Sequence, residues 1–294
     1  MGQFVYKNQD SIQKIHTFYD KTMESLGFGF EESYLETAYG TTHVVFAGDR
    51  QKKPLFTLHG GNGITPLNIQ LFKPLLQSHC LIAPDVIGMP GKSDPHRNLN
   101  IHKNDYAYWI REILNALRIE KVMAVVSSYS ASMLLSLAKL FPERIAAAAL
   151  LVPSGITHGP ILPIIRSMAF PFMKYYLHPN PKALDGILAT MCEETNDLWR
   201  EFMDLMMSCY KMEMRPPKEY KRKELMSFSA PVLVIASADD VFFPAHKVFP
   251  AAEHLFGRSV SMLTITGKHL PSQRTMLEVC DEIEVFEKEV RGAE

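Results

Sequence analysis

The sequence predicts an α/β protein with a mostly parallel central sheet, helices on both faces of that sheet, and an inserted helical segment. Three observations predict it. Short apolar runs such as Pro54–Leu58, Val122–Ser127 and Ala146–Val152 alternate with stretches of helical periodicity, and parallel strands need long crossovers that are usually helices. The alternation lapses between Ser154 and Phe228, then resumes at Pro231–Ala236 and Val260–Thr266. The chain has 294 residues, 47 % of them hydrophobic and 21 % charged, enough to bury a large core.

The elements follow in order. Ile12, Ile15, Phe18, Tyr19, Met23 and Leu26 recur at helical spacing, and Gly27 stands where such a helix would stop. Thr42–Ala47 reads as a strand. Pro54–Leu58 reads as a second that runs straight into His59-Gly60-Gly61-Asn62-Gly63. His79–Ala83 is an apolar run ending in Pro84 and Asp85. Asp105–Leu117 has helical periodicity, Val122–Ser127 is a strand, and a helix runs from about Ser130 to Leu140, stopped by Phe141-Pro142. After the buried-looking strand Ala146–Val152 comes an interval punctuated by proline that holds nine of the sixteen methionines. It reads as a lid: residues 154–228 form a helical cap inserted into a core of residues 1–153 and 229–294.

Charge narrows the function. Lys and Arg total 31 against 32 Asp and Glu, a net charge of −1, which provides no field for gathering nucleic acid. Cys80, Cys192, Cys209 and Cys280 lie far apart with no CxxC pair and no zinc spacing to histidine, so they read as reduced core thiols and no metal is expected. MGQFVYKNQD lacks the apolar run of a secretory signal, and Tyr6 stands where myristoylation wants Ser or Thr. No run reaches the length of a membrane span. The expected location is the cytoplasm and the expected partner a small molecule. The basic stretch Arg215–Lys223, interleaved with Glu219, reads as a solvated rim.

In an open α/β sheet, ligands bind beyond the carboxyl ends of the strands. Polar residues cluster at four such places: His59-Gly60-Gly61, Ser127-Ser128-Tyr129-Ser130, Asp239-Asp240, and His269. Singly, each has an ordinary explanation. A Ser-Ser pair caps a helix, an Asp pair makes a turn, and a lone histidine packs. Jointly, the order Ser, Asp, His is that of an α/β-hydrolase.

The stretches LHGGNG, PDVIGMPGKSDP, IEKVMAVVSSYSAS, LAKLFPERI, APVLVIASADDVFFP and ITGKHLP resemble successive landmarks of the α/β-hydrolase superfamily. The opening YDKTMESLGFGFEESYLETAYGTTHVVFAG is similar to the start of bacterial carboxylesterases of the naproxen-ester type. The resemblance implies Ser128 as nucleophile, His269 as its base and Asp240 as the carboxylate that orients His269. It implies the backbone N–H groups of Gly61 and Tyr129 as the oxyanion hole and requires no cofactor. Asp85 resembles a structural aspartate that braces the following loop, and His59 is expected to pin its own loop by hydrogen bonding.

One motif departs from the family pattern. The usual elbow G-x-S-x-G is here Val126-Ser127-Ser128-Tyr129-Ser130, so side chains stand at the glycine positions. Val126 is expected to crowd the start of the helix. Either the strand and helix splay and Ser128 keeps its role, or the turn shifts by two and Ser130 becomes the nucleophile. In the cap, Trp199, Met203 and Met206 share a helical face, and Met168 precedes them. With Gly60 they are the candidate substrate pocket, suited to a hydrophobic acyl or aryl group, although a core helix would show the same pattern. The reading is a serine hydrolase of small to medium hydrophobic carboxylic esters. The alternatives are a non-catalytic binding or sensing protein on the same scaffold, and a hydrolase of thioester, amide or carbon–carbon bonds. Oligomeric state is not legible.

Overall fold

The computed structural model of the protein describes residues 2–292. Its strands are β1 (Gln3–Phe4), β2 (Phe30–Thr37), β3 (Gly40–Ala47), β4 (Lys53–Leu58), β5 (His79–Pro84), β6 (His96–Arg97), β7 (Val122–Ser127), β8 (Ile145–Leu151), β9 (Val232–Ser237) and β10 (Val260–Ile265). Its helices are α1 (Gln9–Ser25), α2 (Thr65–Leu71), α3 (Asp105–Ala116), α4 (Tyr129–Leu140), α5 (Ile161–Leu177), α6 (Pro181–Met191), α7 (Asp197–Cys209), α8 (Ala245–Phe256) and α9 (Gln273–Gly292). Eight strands form one sheet in the order β10-β9-β8-β7-β4-β5-β3-β2. All its pairings are parallel except β2–β3 and β3–β5. This is the α/β-hydrolase fold expected from the sequence.

The central strands are apolar throughout because both of their faces are covered. Successive side chains point to opposite sides. Ala124 and Val126 of β7 join the core beneath α3, α4 and α8, with Trp109, Ile110 and Leu134. Val125 joins the core on the other face, beneath α1 and α9, with Phe18, Ile283 and Phe286. Helix α1 starts where the Asn8 side chain accepts from Ser11 N–H at 2.8 Å, and it ends at Gly27, which has a φ of +69°. The sequence reading anticipates neither β2 nor the helices α2, α8 and α9. Strand β2, FEESYLET, lies at the sheet edge with most of its polar side chains outward, so it lacks the apolar run that marks its neighbours. Helices α5 to α7, between β8 and β9, have a small core of their own that includes Tyr175, Leu184, Ile187 and Met207. All four cysteines are buried and free.

Asp85, fully buried just after β5, accepts hydrogen bonds from His43 Nδ1 at 2.9 Å, Lys92 N–H at 2.8 Å and the Tyr19 hydroxyl at 3.2 Å. It ties α1, β3 and its own loop together. Burial alone would raise its carboxyl, but the His43 and Lys92 hydrogen bonds outweigh burial and hold it below the usual carboxylate range. Asp85→Ala is expected to cost about 3–5 kcal/mol in urea unfolding at neutral pH, because it leaves buried donors without an acceptor. Since the folded-state pKa is depressed, this stability is complete above the ordinary carboxylate range and is lost as pH falls through the folded value. The gap between variant and parent should therefore close in acid. An undiminished gap there would contradict the ionised brace.

Candidate active site

The site lies at the carboxyl ends of β4, β7, β9 and β10. Ser128 occupies the single-residue turn between β7 and α4, at φ +56° and ψ −125°. A non-glycine residue held there stores about 1–3 kcal/mol and persists only where its surroundings over-determine it. They do so here. Ser128 N–H donates to Leu151 O at 2.9 Å, and Ser128 O accepts from Ser154 N–H at 3.1 Å, Ser154 Oγ at 3.0 Å and Ala131 N–H at 3.1 Å.

His269 Nδ1 is 2.9 Å from Asp240 Oδ2, and Nε2 is 2.8 Å from Ser128 Oγ. A carboxylate can only accept, so Nδ1 carries the proton and Nε2 is left to accept from the serine hydroxyl. Asp240 is buried, and its other oxygen accepts from Phe242 N–H at 2.8 Å. The Phe242 ring meets the imidazole edge-on, with centroids 4.8 Å apart. Leu270, next along from His269, donates to Met191 O at 2.8 Å and accepts from Glu193 N–H at 2.9 Å. Asp239 is exposed and outside this chain of hydrogen bonds.

The alternative serine points elsewhere. Ser130 is fully buried, and its hydroxyl contacts Ser127 O at 2.7 Å, Leu58 O at 2.9 Å and Ser127 N–H at 3.1 Å. The structure thus brings Ser128, not Ser130, to His269. Val126, expected to crowd the start of the helix, is fully buried in the core cluster that also holds Ala131. Where the motif has a second glycine, the Ser130 hydroxyl bonds to the ends of β4 and β7.

The glycine loop after β4 packs on this turn. A Cβ on Gly60 would come within 3.3 Å of Ser128 Cβ, and one on Gly61 within 3.0 Å of Tyr129 Cβ, so a larger residue at Gly61 would displace the ring. Tyr129 is the first residue of α4, where N–H groups have no helical carbonyl to meet and the helix dipole favours negative charge. His59 Nε2 accepts from Val86 N–H at 3.1 Å, which leaves Nδ1 to donate to Gly60 O at 2.9 Å. Burial lowers its pKa and favours this neutral ring.

A second clamp has no signal in the sequence. The Asn62 amide donates to Glu213 O at 3.1 Å and accepts from Glu213 N–H at 2.6 Å, joining the glycine loop to the segment after α7. Glu213 is itself buried and paired with Arg215 at 2.9 Å and Arg97 at 3.4 Å. Burial would raise its carboxyl, but Arg215 more than offsets that and holds it low. The basic stretch is a solvated rim only in part: Lys221, Arg222 and Lys223 are exposed, whereas its other two cations are paired. Arg215 binds Glu213, and Lys218 binds Glu224 at 2.8 Å.

Above Ser128 opens a cavity of roughly 330 Å³. Gly60, Met168, Trp199, Met203 and Met206 all line it, as do Phe172 and Phe243, and His269 stands at its wall. The lining is chiefly apolar, with the serine hydroxyl and imidazole converging at one side. Among the described residues no cluster of three His, Cys, Asp or Glu side chains is placed to hold a metal ion.

Comparison with known proteins agrees with this architecture. The sequence model of the alpha/beta hydrolase fold family matches residues 53–189. An uncharacterized carboxylesterase, nap, of Bacillus subtilis is 30 % identical over 121 residues, 41 % of this chain and 40 % of the relative. Carboxylesterase YbfK of the same organism is 25 % identical over 157 residues, 50 % of this chain and 52 % of the relative. The matched stretch thus spans about half or less of each curated relative. The crystal structure of Bacillus subtilis naproxen esterase superposes with a TM-score of 0.75 at 21 % identity, covering 95 % of this chain and 99 % of that one. That of carboxylesterase CesB (YbfK) does so at 0.76 and 20 %, covering 94 % and 98 %. At such identities the structural likeness is one of fold. The chain has the α/β-hydrolase fold, and the proteins it resembles in sequence and architecture are Bacillus carboxylesterases, naproxen esterase among them.

Proposed function

We propose that the protein is a serine esterase that cleaves small to medium hydrophobic carboxylic esters through an acyl-enzyme on Ser128, with residues 154–228 as the cap over the site. The observation that carries the reading is the hydrogen-bonded run from Asp240 through His269 to Ser128, at 2.9 and 2.8 Å, opening on an apolar cavity. A serine hydroxyl is a weak nucleophile at neutral pH and needs a base that is itself oriented. His269 takes the Ser128 proton as Oγ attacks the ester carbonyl, and Asp240 stabilises the resulting imidazolium. The oxyanion of the tetrahedral intermediate accepts from the N–H groups of Gly61 and Tyr129, donors worth about 2.7–4 kcal/mol each when removed. His269 then protonates the leaving alkoxide, and the alcohol departs. Water, deprotonated by the same imidazole, releases the acid and restores Ser128.

The cavity supports a hydrophobic acyl or aryl group, since thioether and aromatic side chains adapt to irregular apolar shapes. Incubation with a fluorophosphonate probe, followed by mapping of the modified peptide, tests the reading. The expected adduct is on Ser128. An adduct on Ser130 would overturn the register, and absence of any adduct would favour a binding protein on a hydrolase scaffold.

A further inference from the structure

A helix packed on a protein surface turns an apolar stripe inward and polar residues outward. Helix α5 is apolar on both sides. Its inner side is taken: Met168 and Phe172 line the cavity, and the buried Tyr175 donates its hydroxyl to Asp204 at 2.6 Å. Its outer side carries Leu162, Ile165, Phe170, Met173, Tyr176 and Leu177, between 54 % and 80 % exposed. At about 100° per residue these six span an arc of roughly 140°, with Arg166 inside it and Lys174 beyond its edge.

Charge says what this face meets. From Ser154 to Leu184 the chain carries Arg166, Lys174 and Lys182 and no Asp or Glu, in a protein whose net charge is −1. No helix among the described residues is long and apolar enough to cross a membrane. An apolar helix face with one cation within it and another beyond its edge instead lies in the plane of a lipid–water interface, with its apolar groups in the acyl boundary and the long cationic side chains reaching up to the headgroups. A second copy of the chain fits less well. Two such faces meeting about a two-fold axis would crowd Arg166 and Lys174 toward the same residues of the other copy.

We propose that the outer face of α5 seats the protein on an anionic lipid surface. The cavity wall formed by Met168 and Phe172 then lies next to the interface in which apolar esters concentrate. This last clause rests on the esterase reading, whereas the docking itself is observed without turnover.

The test is sedimentation of the full chain with sucrose-loaded vesicles of phosphatidylcholine alone, or of phosphatidylcholine with phosphatidylglycerol. Each cation held near an anionic surface gives about a fivefold gain in partitioning. Binding to the anionic vesicles is therefore expected to be tenfold or more tighter than to neutral ones and to weaken with salt, a readout that needs no variant. The double variant Phe170→Glu, Tyr176→Glu should lose binding at least tenfold. Arg166→Glu with Lys174→Glu should abolish the preference for anionic lipid. No binding to either vesicle, or binding indifferent to both pairs of substitutions, overturns the proposal. So does a dimer in sedimentation velocity that Phe170→Glu, Tyr176→Glu converts to monomer, which would assign the face to a second copy. Fluorophosphonate reaction of each variant separates the two readings. Lost vesicle binding with the adduct retained marks an intact site, while no adduct on any form, with vesicle binding retained, rejects the esterase and leaves the docking standing.

Discussion

Ser128→Ala is expected to lower kcat/KM for a p-nitrophenyl ester by roughly 10⁵–10⁶, the scale seen when the nucleophile is removed from a concerted serine–histidine unit. Ser130→Ala is expected to keep the rate within about tenfold of the parent and to lose about 1–3 kcal/mol of stability instead. The contrast follows from where the two hydroxyls point. Ser128 Oγ has the imidazole at 2.8 Å. Ser130 Oγ sits among Ser127 N–H, Ser127 O and Leu58 O, and its removal leaves buried backbone groups short of a partner. Urea unfolding alongside the kinetics separates the effects. If Ser130→Ala proved the inactive and stable variant, the elbow would be misassigned.

The strands whose ends carry the site were legible because they are buried on both faces and therefore read as unbroken apolar runs. β7 and β9 are the clearest: the groups just past them, Ser127-Ser128-Tyr129-Ser130 and Asp239-Asp240, stand out by position, and the resemblance to the hydrolases singles out Ser128 and Asp240 within them. His269 stands out the same way, four residues past the end of β10. Edge strand β2 left no such mark, because FEESYLET pairs on one side only and keeps polar groups in water. Helix α9 did carry a signal in Met276, Val279, Cys280, Ile283 and Phe286, all buried at helical spacing, so its omission reflects no physical obstacle. The Asn62–Glu213 clamp is different. Its partners are 151 positions apart and Glu213 lies in irregular chain, so no local pattern links them. Val126 illustrates a third case. Its crowding is expected from side-chain volume alone, whereas whether Ser128 or Ser130 faces His269 depends on where each hydroxyl points, which hydrogen bonds to Leu58 and His269 decide.

Asp240→Asn is expected to reduce kcat by about 10⁴ with little change in KM, because the substitution preserves shape and inverts one hydrogen bond. Asp240 serves two donors at once: Oδ1 accepts from Phe242 N–H at 2.8 Å and Oδ2 from His269 Nδ1 at 2.9 Å. Asparagine has one oxygen for these two donors. If the amide oxygen stays with the backbone N–H, the NH₂ group faces Nδ1, which must then accept, and the ring proton moves to Nε2. That tautomer cannot take the proton from Ser128. If the amide flips, His269 keeps its acceptor, but the part-buried Phe242 N–H meets an NH₂ donor, a clash costing about 1–3 kcal/mol. The first arrangement is therefore the lower in energy, and the active tautomer becomes the minor one. Residual activity should rise with hydroxide concentration as external base replaces His269. The neighbouring Asp239→Asn, at an exposed position outside the hydrogen-bonded run, is expected to leave kcat within about twofold of the parent. Equal losses from the two substitutions would remove Asp240 from the chemistry.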